Sequence, residues 1–287
     1  MFDHIRAFHQ PRTVQEALKL LHRPGVKACP VAGGTDLVLR AGRSVTELVD
    51  ITRLGLDAIR RNGRGLRIGA AATLAALEDS KAVQALADGI LAKAAAYCGT
   101  VQMRNVATVG GNLANASPAA DTATPLLVLD AEVVLHGLRG KRRIGLAEFF
   151  LAPHRTAAAG ALLTEIVIPA PHPRARFSLQ RFSRTESDIA VVSVAAGLQL
   201  DGKGRCQWAR VALGAVAPVP LRVKKTEAAL LGQVLTPEVI ERAMKVAAGE
   251  ARPITDIRAS AEYRAELIRL LLRRALLDCA RQRERAQ

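Results

Sequence analysis

The chain has 287 residues, 49% hydrophobic and 23% charged, a composition typical of soluble globular proteins rather than disordered or fibrous ones. At that length two or three subdomains are expected, and no run reaches the ~20 apolar residues of a spanning helix. The formal net charge of +15 raises nucleic-acid binding, but only 3% of residues are aromatic and the basic residues are dispersed; no RNP, helix-turn-helix or zinc-finger pattern appears. The N-terminal segment carries an acid at Asp3 and no apolar stretch, so it does not read as a secretory signal, and the expected location is cytoplasmic.

The first helix is announced by Thr13 and Glu16, a capping box, with Ala17, Leu18 and Leu21 as its apolar stripe and residues 22–25 as its end. A strand over 28–31 runs into Ala32-Gly33-Gly34-Thr35-Asp36, and strands over 47–51 and 66–70 follow. Residues 80–98 have helical periodicity. The stretch 101–122, VQMRNVATVGGNLANASPAADT, reads as a loop leading into a helix at 123–129. Further strands are expected at 132–136, 141–144 and 161–168. Three prolines within residues 169–173 fit neither helix nor central strand, and the main domain boundary is placed there. Beyond it come strands at 175–181, 189–200 and 205–213, the last two joined by a turn at 201–204. A helix begins at Thr236-Pro237, and a last helix runs from Ser260 to about Gln282. Strands and helices interleave without the alternation of a doubly wound sheet, so the class is α+β.

Four cysteines, Cys29, Cys98, Cys206 and Cys279, lie far apart with no CxxC pair, and the six histidines form no HxH or HExxH arrangement. No metal site is expected in this chain, and the thiols read as buried or inert. Two glycine-rich segments carry the chemistry instead. In residues 32–36, adjacent glycines permit positive φ and close approach to a ligand, and successive N–H groups can form an anion-binding concavity. In residues 108–121, the pair Gly110-Gly111 is surrounded by Thr108, Asn112, Asn115, Ser117 and Asp121, all able to bond sugar hydroxyls or phosphate oxygens. The alternative for Asp121, a polar surface loop plus the N-cap of the next helix, stays open as the lesser reading. Neither segment is G-x-G-x-x-G or GxxxxGK[ST], so a Rossmann site and a P-loop are both unsupported. The residues alone indicate one extended phosphate-bearing ligand held from two sides, or two unrelated turns.

AGGTDL at 32–37 and ATVGGNLANASPAADT at 107–122 resemble the two flavin-binding signatures of the molybdenum-hydroxylase flavoprotein subunits. That family includes the medium subunit of carbon monoxide dehydrogenase and the FAD domain of xanthine dehydrogenase. FDHIRAFHQPRTVQEALKLL, EFFLAPHRTAAAGALLTEIVIP, RFSRTESDIAVVSVAAGLQL and DIRASAEYRAELIRLLLRRAL extend the resemblance over nearly the whole chain. It implies a two-lobed FAD-binding domain of the vanillyl-alcohol-oxidase (PCMH) type over residues 1–170, split near residues 54–64, and a smaller α+β domain over 174–287. It implies that Gly33, Gly34, Thr35 and Asp36 lie along the pyrophosphate of a non-covalent FAD. Thr108, Gly111, Asn112 and Asn115 would hold its ribityl and phosphate region, and Asp121 its adenosine side. Ala32, Gly110, Ser117 and Ile168 join the cofactor-binding set. Residues 183–190 would lie near the isoalloxazine ring, and Gln180 or Arg181 would stand where some relatives have a lysine.

The resemblance further implies that no residue here is catalytic. Molybdopterin and [2Fe–2S] clusters would sit on a large and a small partner, in a dimer of heterotrimers that passes electrons through FAD to NAD or another acceptor. The cysteine-rich insertion of the relative that reduces 4-hydroxybenzoyl-CoA has no counterpart here. Two other readings stay open: a self-contained FAD-dependent small-molecule oxidase, and a non-catalytic basic binding protein whose glycine segments are turns. In the last helix, Leu267, Leu270, Leu271 and Ala275 are expected to form the apolar face. Arg264, Arg269, Arg273 and Arg274 would form a basic one, solvated or facing an acidic partner.

Overall fold

A computed structural model describes residues 4–40 and 44–284; Asp3 lies outside the described residues. The first lobe comprises β1 (Ala7–His9), α1 (Val14–Leu21), β2 (Ala28–Val31), α2 (Leu37–Arg40) and β3 (Glu47–Asp50). Its three strands form a parallel sheet in the order β1-β3-β2. Thr13 caps α1 by accepting from Glu16 N at 3.1 Å, while the Glu16 carboxylate accepts from Arg12 N at 2.9 Å. Ala17, Leu18 and Val49 make a small core closed by Leu162 of the second lobe.

The second lobe runs through β4 (Ile59–Asn62), β5 (Gly65–Gly69), α3 (Leu74–Asp79), α4 (Lys81–Gln84), α5 (Ile90–Ala96), α6 (Val101–Val106), α7 (Val109–Asn115) and α8 (Ala123–Val128). It continues with β6 (Glu132–Gly137), β7 (Gly140–Gly145), α9 (Leu146–Phe149), β8 (Phe150–Ala152), β9 (Arg155–Thr156) and β10 (Ala161–Ile168). An antiparallel sheet in the order β4-β5-β10-β6-β7 turns Leu66, Ile68, Val133 and Ile166 inward onto helices that contribute Leu77, Leu91, Leu113 and Leu126.

The C-terminal part contains β11 (Arg176–Phe182), β12 (Val192–Leu200), β13 (Cys206–Gly214), β14 (Leu221–Arg222), α10 (Lys224–Leu230), α11 (Pro237–Glu250) and α12 (Ala261–Glu284). Its antiparallel sheet, β11-β12-β13-β14, is buried on both faces. Phe177, Leu179, Ala195 and Ala212 face the second lobe's core, whereas Val192, Val194, Leu198 and Val211 face Ile240, Ile268, Leu272 and Leu276 of the helices. That double burial explains why β12 reads as a nearly unbroken apolar run. The proline segment joins β10 to β11, and His172 stacks on Trp208 at 5.0 Å, fastening the connection to the sheet.

The α+β class stands, but several elements differ from expectation. Residues 101–122 are mostly helical, not a loop: Thr100 and Thr108 cap α6 and α7 by accepting from Met103 N and Gly111 N. The glycine pair hides α7 from a propensity reading; tertiary hydrogen bonds from Val109 N and Gly110 N to Ala72 O and Ala70 O anchor it. The helical stretch 80–98 breaks at Asp88 and Gly89, both left-handed, where the Asp88 carboxylate accepts from Phe177 N at 2.8 Å. In α12, Leu270 is exposed, and Arg264, expected on the basic face, is 2% exposed. It donates to Val191 O, Ala215 O and Asp256. No helix among the described residues is long and apolar enough to cross a membrane.

Candidate cofactor cleft

The turn after β2 lies directly on the junction of α6 and α7. A Cβ at Gly33 would overlap the carbonyl of Val106, so only glycine permits this approach. Gly34 follows at φ +69°, and the main-chain N–H groups of Gly33, Gly34, Thr35 and Asp36 donate to no group among the described residues. Four adjacent donors with no partner among the described residues, in a turn with Gly34 left-handed, suit an anion-binding nest. They open into a chamber of about 460 Å³ whose opposite wall is Thr108, Gly111, Asn112 and Asn115. The first-turn N–H groups of α7 are spent within the protein: Val109 and Gly110 donate to the β5–α3 segment, Gly111 to Thr108 Oγ1 and Asn112 to Thr108 O. The nest at 33–36, rather than the helix end, therefore supplies the free donors.

Asn112 Oδ1 accepts from Thr122 Oγ1 at 2.6 Å, which holds the Asn112 side chain in place. The β8–β9 turn closes the far end of α7, His154 N donating to Ala116 O and His154 Nδ1 lying 2.8 Å from Asn115 O. A second chamber of about 440 Å³ shares Pro30, Ala32, Gly111 and Ala114 with the first, and Gly110 lines it too. Its other walls are mostly apolar, including Leu21, Ile51, Ala158 and Leu162, with His22 at the edge. Together they form one elongated cleft between the lobes, polar in one chamber and apolar in the other.

Residues 2–171 match the family model described as the FAD binding domain in molybdopterin dehydrogenase; residues 177–279 match the CO dehydrogenase flavoprotein C-terminal domain. The chain belongs to this flavoprotein family. It is 30% identical to the nicotinate dehydrogenase FAD-subunit of Eubacterium barkeri, over 96% of this chain and 97% of that one. It is 34% identical to the 6-hydroxypseudooxynicotine dehydrogenase complex subunit alpha of Paenarthrobacter nicotinovorans, over 96% and 93%. A carbon monoxide dehydrogenase structure from Hydrogenophaga pseudoflava superposes with a TM-score of 0.91 at 32% identity, covering 97% of this chain and 98% of that one. The chain is thus an FAD-binding subunit of the molybdenum hydroxylase family and part of an oxidoreductase.

Of the flavoprotein residues expected from sequence, Ala32, Gly33, Gly34, Thr35, Asp36, Thr108, Gly110, Gly111, Asn112 and Asn115 meet in the cleft. Ser117, Asp121, Ile168, Gln180 and Arg181 line neither chamber. Ser117 accepts from Ala119 N in its own turn, and Ile168 is buried in β10 opposite Leu66. Strand alternation separates Gln180 from Arg181. Gln180 donates to Asp278 of α12 at 2.6 Å, whereas Arg181, on the face of Phe177 and Leu179, reaches the second lobe. Sequence reasoning missed the apolar chamber altogether, because its residues look like ordinary core.

Arg181 is a buried hub. Its Nε donates to Asp121 Oδ1 at 2.9 Å, its terminal nitrogens donate to Ser183 Oγ and to the carbonyls of Glu186 and Asp188, and its guanidinium lies 5.3 Å from the Tyr97 ring centroid. Burial pushes the Asp121 carboxyl up from 3.8 to about 6, against the pull of Arg181. Because the folded state holds this proton more tightly than the unfolded chain, the contribution to stability is full below about pH 3.8 and is lost as pH rises through about 6. The stability advantage of the native protein over Asp121→Asn should therefore fall across that window and level off above it. Urea titrations at stepped pH measure it, and a difference rising with pH would contradict the assignment. Burial also pushes the Cys98 and Cys279 thiols up, in keeping with inert cysteines.

Proposed function

We propose that this chain is the electron-transfer subunit of a cytoplasmic molybdenum hydroxylase complex, with non-covalent FAD extended along the interlobe cleft. The observation that carries this is the run of four N–H donors at 33–36, without a partner among the described residues, across one chamber from Thr108, Asn112 and Asn115, with an apolar chamber beside it. The donor set fits the cofactor. The nest suits the diphosphate, the threonine and asparagine side chains suit the ribityl hydroxyls, and the apolar chamber suits the adenine. Bound there, FAD supplies one- and two-electron exchange; the chain's own residues bind it, orient it and exclude water. In the complex the subunit's task is to connect [2Fe–2S] clusters on a small partner, fed from a molybdopterin centre on a large partner, with NAD or another acceptor. The assembly is a dimer of heterotrimers. Relatives named as FAD-subunit and as subunit alpha of a dehydrogenase complex support a heteromeric setting.

The test is the visible spectrum of the purified protein, with its chromophore released and identified by mass. FAD near one per chain, freed by denaturation, is expected. FMN or a covalently linked flavin would instead favour a self-contained oxidase, and failure to take up FAD would leave a basic binding protein. Gly111→Val is expected to weaken FAD retention at least tenfold, about 1.4 kcal/mol or more. A Cβ at Gly111 would meet Thr108 Oγ1 at 2.9 Å and no other atom beyond the local backbone within 4 Å, so that hydroxyl must shift while the added methyls enter the cleft. Normal FAD content in a folded Gly111→Val protein would mean the cofactor lies elsewhere.

A further inference from the structure

Outside the cleft, the connector between the lobes and the outer side of the five-stranded sheet enclose a groove of about 440 Å³. Its existence depends on Gly69, where a Cβ would overlap the Leu56 carbonyl. The connector therefore sits directly on β5, held by Gly69 N donating to Ala58 O at 2.9 Å and Ala71 N to Leu56 O at 2.7 Å. Arg60, Arg61, Arg67 and Lys141 line the groove, against the single carboxylate of Glu165. That carboxylate is already taken by Arg67, whose Nε donates to Glu165 Oε1 at 2.9 Å. Arg60, Arg61 and Lys141 have no carboxylate partner among the described residues. Arg60 also stands directly opposite Arg67 in the antiparallel β4–β5 pair, a like-charge register that Glu165 offsets on the Arg67 side and leaves uncompensated at Arg60.

We propose that this groove binds a phosphate-bearing anion of nucleotide size, through the guanidinium group of Arg60, which shares the outer face with Arg67, and the ammonium of Lys141. Arginine forks match phosphate oxygens, and the groove's volume is that of a small-molecule site rather than of a flat protein contact. The site is separate from the FAD cleft, with the connector segment Leu56–Ala58 as its wall, so it stands whether or not the flavin reading holds.

The experiment is calorimetric titration of the FAD-loaded protein with ADP and with inorganic pyrophosphate, FAD absorbance being followed so that entry into the cleft is detected as flavin loss. Saturable binding of both, each competing with the other, is expected. It should weaken at least tenfold in Arg60→Ala and in Lys141→Ala, with FAD content unchanged. Competition shows that the groove reads the phosphates, and tighter binding of ADP than of pyrophosphate would identify a nucleotide as the source. Lack of saturable binding by either probe, as for a surface that docks an acidic protein segment, would overturn the proposal. Binding unaltered in both variants would overturn it equally.

Discussion

Arg181→Met is expected to lower the unfolding free energy by about 3–5 kcal/mol, the usual cost of leaving a buried charge without its partner. Arg181 and Asp121 have side chains 5% and 11% exposed, so the lost attraction is not replaced by water. The guanidinium also holds Ser183 and the carbonyls of Glu186 and Asp188, so the same substitution should release residues 183–188 from the FAD-binding lobe. Urea denaturation measures the first effect and amide hydrogen exchange the second. A double variant, Arg181→Met with Asp121→Leu, should recover much of the lost stability because neither charge is then buried alone. A single-variant loss below about 1 kcal/mol, the range of an exposed pair, would show that the pair is solvated in solution.

Gly33→Ala should release FAD and destabilise the fold together, in contrast to Gly111→Val. The added Cβ meets main-chain atoms of Val106 and Ala107, which cannot rotate away as a side chain would, so the turn and the α6–α7 junction must separate. Overpacking of that kind costs about 1–3 kcal/mol. It also displaces the four N–H donors relative to Thr108 and Asn112, so FAD affinity is expected to drop more than tenfold, beyond about 1.4 kcal/mol. Equilibrium dialysis against FAD and thermal unfolding of the apoprotein measure the two effects separately. Unchanged stability with lost FAD would mean that Gly33 serves the cofactor directly and not the contact between the walls.

That the two glycine-rich segments belong together was legible because their residue types answer to local requirements: positive φ at Gly34, and hydroxyl and amide groups clustered at 108–115; the structure sets both on one chamber. What each glycine does was not legible. Gly33 and Gly110 serve contacts between chain segments far apart in sequence, Gly110 lying against Ala70, whereas a Cβ at Gly111 would meet only the hydroxyl of Thr108 in its own helix cap. The same limit applies to Arg264. Its place in a Leu/Arg-rich helix suggests solvent, yet three acceptors from other segments make a buried position tolerable.

By itself the sequence determined the α+β class, most strand and helix positions, the proline-marked junction and the identity of the cleft's polar residues. These are set by local backbone preference, hydrophobic period and side-chain chemistry, all of which act over a few residues. Only the tertiary structure decided that 109–115 is a helix, that Arg181 rather than Gln180 faces the FAD-binding lobe, and that an apolar chamber and a basic groove exist. Each of these depends on which distant segment supplies the missing hydrogen bond, covers a face or leaves a charge uncovered. Strand register and long-range packing settle that, and neither is written in any single stretch of residues.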